Sequence, residues 1–156
     1  DTLVTALESN TLLTFGFATG TYDKRADDGL SLIDCRITNA ARCVPPQNKP
    51  IGAEIKQCRS YLVARIGALA KLEAIVCLGR IAHESVIAAV GLKQKAAPFG
   101  HGATHDLGGG VIRLFDSYHC SRYNTNTGRL TPEMFESVFF AVRNYLDAPT
   151  RRSRAG

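Results

Sequence analysis

The side chains best suited to chemistry gather in a few short segments. The densest is Ser117-Tyr118-His119-Cys120-Ser121-Arg122-Tyr123-Asn124-Thr125-Asn126-Thr127-Gly128-Arg129. One histidine, two arginines and two asparagines stand there among several hydroxyls. A histidine such as His119 can stabilise a developing anion or move a proton. Arg122 and Arg129 suit phosphate groups. A loop of this make-up can also spend its donors on its own backbone. Asn39 closes a predicted strand, and its amide offers a donor and an acceptor side by side. That pairing matches a nucleobase edge, while a turn cap is the simpler use of the same residue. His101 and His105 have the i, i+4 spacing of a metal pair on a helix, but Gly100 and Gly102 beside His101 argue against a helix and therefore against zinc. Cys43 and Cys58 are either half of a four-thiolate site or two unpaired thiols.

Hydrophobic spacing predicts the elements that must hold these loops. Residues 2–17 carry Leu3, Leu7, Thr11 and Phe15 at helical intervals. Residues 30–40 read as a strand with Leu32, Ile33 and Ile37 buried, and 42–50 as a proline-stiffened loop. A helix is predicted over 51–72 and a short buried strand over 73–78. Gly79 turns the chain into a helix that runs to about Val90 and ends at Gly91 in the C′ role. Residues 93–110 read as a long loop, 111–115 as the last strand and 117–129 as another loop. Thr131 as N-cap and Pro132 at N1 open a final helix that ends near Leu146. Alternating helices and strands predict an α/β fold: three layers, a short, mostly parallel central sheet flanked by helices. Ligands of such sheets bind at the carboxyl ends of the strands, which is where the polar loops fall.

Composition narrows the class. The chain has 156 residues, 45% hydrophobic and 21% charged, which suits one globular domain over 1–147 with a basic tail over 148–156. No run approaches the roughly 18 apolar residues of a membrane-spanning helix, so no membrane partner is expected. A net charge of +5 permits a nucleic-acid partner. Five cysteines are an odd number, which favours a reducing, cytoplasmic setting over a disulfide framework. Cys77 lies in the apolar run Ala74-Ile75-Val76-Cys77-Leu78 and reads as a buried, inert thiol.

Three motifs in order carry a resemblance. The segment Ile37-Thr38-Asn39-Ala40-Ala41-Arg42-Cys43-Val44-Pro45-Pro46-Gln47-Asn48-Lys49-Pro50 resembles the middle motif of the type-4 and type-5 uracil-DNA glycosylases. Leu78-Gly79-Arg80-Ile81-Ala82-His83 resembles their strand-to-helix turn. Ser117-Tyr118-His119-Cys120-Ser121-Arg122-Tyr123-Asn124, followed by Thr127-Gly128-Arg129-Leu130-Thr131, resembles the closing motif of the type-5 group; type-4 enzymes usually show His-Pro-Ser here. The resemblance covers residues 1–147.

It implies a monomer that acts on uracil-containing DNA and carries a 4Fe-4S cluster. Cys43 and Cys58 match the third and fourth cluster ligands of the family. Asn39 falls where related enzymes read the base edge, and His119 falls beside the target nucleotide. Ser121, Arg122, Asn124 and Arg129 belong to the loop that enters the minor groove and holds the strand. The family's opening motif, with two further cysteine ligands and the group aimed at water, has no match here. The chain therefore reads as the carboxyl-terminal part of such an enzyme, with two of four cluster ligands. A non-catalytic nucleic-acid-binding remnant of the same fold is the alternative, and a cluster-binding interaction domain a third reading.

Overall fold

The computed structural model describes residues 6–23, 28–38, 52–107 and 112–148, with the backbone alone at 6 and 52–58. The chain divides into two compact units, one formed by Asp1–Thr38 with Tyr118–Gly156 and the other by Asn39–Ser117.

In the first unit the strongest local signals produce the longest helix. Thr131 has an extended backbone and its hydroxyl oxygen accepts from the Met134 N–H at 3.2 Å, while Pro132 opens the helix where its missing N–H costs nothing. The helix runs over Pro132–Asp147, and Phe135, Val138, Phe139 and Val142 repeat at one face and are buried. A first helix, α1 (Ala6–Thr14), packs against it. Arg143 ties the chain end of α1 down: its Nε donates to the Phe15 carbonyl at 2.9 Å and its guanidinium lies 4.1 Å from the Phe17 ring centre. Thr131→Ala should cost about 0.5–2 kcal/mol, read as a lower urea midpoint, because the Met134 N–H then loses its partner.

The expected strand over 30–40 shrinks to β2 (Ser31–Leu32), paired antiparallel with β1 (Ala18–Thr19). Leu32 and Ile33 are 40% and 42% exposed, so this segment has no buried face. Asp34, at φ 48, bends the backbone out of extended geometry and ends the pairing. Residues 39–50, including the proline-rich loop, lie outside the described residues.

The second unit holds the α/β sheet. Helix α2 (Gly52–Ala68) packs on α3 (Arg80–Ala89), and α3 packs on β3 (Ala74–Leu78). Strand β5 (Ile112–Ser117) is central: β3 lies parallel on one side and β4 (Thr104–Leu107) antiparallel on the other. Leu62, Cys77, Val86, Ile87, Ala97, Leu107 and Leu114 form the core between sheet and helices. Gly79 has φ 99 and ψ 164, a conformation open essentially to glycine, and its N–H donates to the Ser117 carbonyl at 2.8 Å. That bond joins the carboxyl ends of β3 and β5. Gly91, at φ 78, ends α3 as expected, with the Leu92 N–H donating to the Ile87 carbonyl in a Schellman closure.

Two predicted loops contain short elements. Strand β4, a 3-10 turn at Gln94–Ala96 and helix α4 (Arg122–Asn126) were all read as loop. In β4 only Leu107 is buried, so the strand presents no apolar alternation. Five residues are too few for α4 to show a helical period. The last helix of this numbering, α5, is the Pro132–Asp147 helix.

Candidate active site

The first unit pins the His119 loop from within. The backbone carbonyl of His119, not its ring, accepts from Asn124 Nδ2 at 2.9 Å. Ser121 caps α4, its hydroxyl accepting from the Asn124 N–H at 3.3 Å and its carbonyl from the Thr125 N–H at 3.0 Å. The Leu130 N–H donates to the Asn124 carbonyl at 3.0 Å, and the Leu130 side chain is buried. Cys120 is buried too, with its thiol 3.5 Å from Glu8 Oε2 as donor. Small side chains and backbone thus close the loop, and His119, Arg122, Tyr123 and Arg129 stay on its exposed side. The Arg129 guanidinium stacks 5.0 Å from the Tyr118 ring centre, which fixes its direction at little cost in rotamer freedom.

The structure therefore brings His119, Ser121, Arg122, Asn124 and Arg129 into one segment. Ser121 and Asn124 make the loop's own bonds. Asn39 and Cys43 lie outside the described residues, and Cys58 is on α2 with its side chain outside them.

The second unit holds a polar cluster that the sequence did not assemble: His105 stood out only beside His101, and His83 only within the strand-to-helix turn. His83 of α3 and Asp116 of β5 are both fully buried, with Nδ1 and Oδ1 2.8 Å apart. His83 Nε2 lies 2.7 Å from the Ala97 carbonyl oxygen. His105 Nε2 lies 2.9 Å from the Pro98 carbonyl oxygen and 3.7 Å from Asp116 Oδ2. Phe99 meets the His83 ring edge-on at 5.5 Å, and the Arg80 guanidinium stacks on the other ring at 5.2 Å from its centre. Burial pushes the Asp116 carboxyl above its usual range, against the pull of the His83 hydrogen bond and charge, of His105 and of the Gly100 amide. An aspartate directly after the apolar pair Leu114-Phe115 was the available signal.

One ring nitrogen of His83, one of His105 and an oxygen of Asp116 lie within 4.8 Å of one another, as a metal site would require. Two ring nitrogens of this group are already committed to backbone carbonyls, His83 Nε2 to Ala97 and His105 Nε2 to Pro98. A carbonyl oxygen only accepts, so His105 Nε2 carries a proton towards Pro98 and has no lone pair to give. The thiols do not fit a cluster. Among the described residues Cys77 is deep in the core, where burial and then the Asp116 charge hold its thiol far above the thiolate range. Burial, then the Glu8 charge, raises the Cys35 thiol as well, and Cys120 donates to Glu8. A four-thiolate set is not completed by these residues.

Comparison with known proteins gives this geometry a family. The model of the uracil DNA glycosylase superfamily matches residues 5–143. The chain is 45% identical over 116 residues to a type-5 uracil-DNA glycosylase of Thermus thermophilus, covering 74% of this chain and 52% of that protein. It is 35% identical over 127 residues to a type-5 uracil-DNA glycosylase of Pyrobaculum aerophilum, covering 81% and 54%. A type-4 uracil-DNA glycosylase of Archaeoglobus fulgidus is 40% identical over 62 residues, 39% of this chain and 31% of that one. The chain spans about half the length of the type-5 relatives it matches. A family match running from α1 into α5, through the sheet and the His119 loop, means that this chain belongs to the uracil DNA glycosylase superfamily.

Proposed function

We propose that the protein removes uracil from DNA by hydrolysing the N-glycosidic bond, with residues 1–147 as one glycosylase-like domain. The observation that carries this reading is the family match across a loop whose backbone is closed on itself and whose histidine is exposed. An enzyme of this kind takes the base out of the stack, at a cost of a few kcal/mol. As the glycosidic bond loosens, negative charge gathers on the uracil and positive character on the sugar. His119 would donate a hydrogen bond to a uracil carbonyl oxygen as that charge develops. Asn39 would select uracil through its carbonyl and N–H edge. Arg122 and Arg129 would hold phosphates, on a loop that Ser121 and Asn124 keep in shape. The water-directing group would come from outside these residues. A 4Fe-4S cluster, with Cys43 and Cys58 as two ligands, belongs to the whole protein in this reading and takes no part in the hydrolysis. The protein would act as a cytoplasmic monomer; among the described residues no helix is long and apolar enough to cross a membrane.

The test is uracil release from a labelled uracil-containing duplex, by this chain and by the product of the full open reading frame that encodes it. Release by either supports the proposal. Binding of the duplex without release by both would leave a non-catalytic nucleic-acid-binding remnant and sink the enzymatic reading. Iron content of the full product decides the cluster: four irons per chain are expected for a cubane site of the 4Fe-4S type, and none would remove it.

A further inference from the structure

In the 39–117 unit one buried imidazole faces two oxygen atoms. His83 Nε2 is 2.7 Å from the Ala97 carbonyl oxygen, which only accepts, so Nε2 carries a proton. Nδ1 is 2.8 Å from Asp116 Oδ1. That second contact needs its own proton, on the ring or on the carboxyl. Without one, a nitrogen lone pair would face a carboxylate at a place where both side chains are 0% exposed. The neighbours do not relieve this. On β4, His105 turns its Nε2 proton to Pro98. On β3, the register partner of Asp116 is the buried thiol Cys77. On α3, the Arg80 guanidinium lies over Phe99. The Gly100 amide also faces the carboxyl.

The same two residues gather the segment 97–103. His83 holds the Ala97 carbonyl and His105 holds that of Pro98. The Gly102 N–H donates to the Asp116 carbonyl at 2.9 Å, and the Asp116 N–H donates to the Ala103 carbonyl at 2.9 Å. Phe99 packs on the His83 ring. Within the segment the Ala103 N–H donates to the Gly100 carbonyl at 2.9 Å, closing a turn with Gly102 at φ 78, so the pair places this turn and does not form it. It lies beside the carboxyl ends of β3 and β5, where ligand sites of parallel sheets form.

We propose that His83 and Asp116 retain one proton between them as a net-neutral buried pair, and that this pair positions the 97–103 segment at the strand ends. They are positioning residues, and the inference does not depend on which reaction the protein performs.

The proton count makes it testable. In the unfolded chain an ordinary aspartate is ionised above about pH 4 and an ordinary imidazole is neutral above about pH 6.5. The folded pair keeps one proton through this range. Above about pH 6.5 the folded state then holds one proton more than the unfolded state, and the pair's contribution to stability falls as pH rises. Asp116→Asn presents an amide N–H to Nδ1 and has no retained proton. Its folded state binds one proton fewer, and the unfolded states match. The unfolding constant of wild type divided by that of Asp116→Asn should therefore rise about tenfold per pH unit from about pH 5 to 8. Urea unfolding followed by circular dichroism reads both.

A flat ratio would overturn the shared proton. If Asp116→Asn does not fold, wild type decides. At about pH 8 either a protonated-carboxyl band in the infrared or a doubly protonated His83 ring in 15N spectra is expected, and finding neither refutes the pair. The positioning role is read from amide exchange. Gly102 should exchange about tenfold faster or more in Asp116→Ala, or in His83→Phe should that variant not fold, and at the wild-type rate in Asp116→Asn. Unchanged exchange in the disrupting variant would show that the segment holds itself.

Discussion

His119→Ala should slow uracil release by about 10²–10³-fold, equivalent to about 2.7–4 kcal/mol of lost transition-state stabilisation, the range for one donor aimed at a developing anion. The geometry separates this effect from folding. The loop is closed by the His119 carbonyl, the Ser121 cap, the Leu130 amide and the buried Leu130 side chain, none of which involves the imidazole. An alanine at 119 keeps every one of those bonds. The urea midpoint should therefore stay where it is, since the ring is exposed. Single-turnover release from a uracil-containing duplex, measured on the full reading-frame product, gives the rate. A rate within threefold of wild type would remove His119 from the chemistry. A large loss together with a lower midpoint would mean that the ring supports the loop, and the assignment of its role would fall with it.

What the sequence shows and what it hides divide along physical lines. Thr131-Pro132 and Gly91 were legible because a cap and a left-handed terminus each demand particular residue types within a few positions. Strand β3 was legible as a short apolar run. The Leu30 to Ala40 segment misled because Leu32, Ile33 and Ile37 suggest a buried strand, yet Leu32 and Ile33 are exposed and Asp34 breaks the strand. Nothing local says that a pattern has no partner to bury it. Strand β4 hid for the opposite reason: it gains its place from pairing with β5 while showing mostly polar side chains.

The site divides in the same way. The His119 loop was conspicuous because its polar residues are contiguous in the chain. The sequence did not say which of them spend their bonds on the loop, and Ser121 and Asn124 do. The His83–Asp116 pair joins residues 33 positions apart, and nothing in the sequence couples them until the fold brings them to hydrogen-bond distance. Asp116 left one trace, as a carboxylate directly after Leu114 and Phe115, both built for the core.

Phe135→Ala should cost about 3–5 kcal/mol, the range for deleting a fully buried aromatic ring. Phe135 is 0% exposed and stands with its ring centre 5.0 Å from that of Phe139, so the loss includes an aromatic contact as well as transfer from water and the cavity left behind. Against a total stability of about 5–15 kcal/mol, this is a third or more of the margin in most domains. Phe140, one position later, provides the control. It is 57% exposed and touches Phe15 edge-on at 6.4 Å, so Phe140→Ala should cost about 1 kcal/mol or less. The two substitutions remove the same side chain from the same helix, and helix propensity cancels between them. Their difference in urea midpoint therefore isolates burial. A Phe135 loss no larger than that of Phe140 would mean that α5 does not present this face to the core. The consequence reaches the site, because Cys120 and Leu130, which anchor the two ends of the His119 loop, are buried residues of the same unit. Where that core loosens, the Cys120–Glu8 hydrogen bond should weaken early, since a thiol is a weak donor. Uracil release by Phe135→Ala, measured well below its unfolding midpoint, should accordingly fall before the protein unfolds.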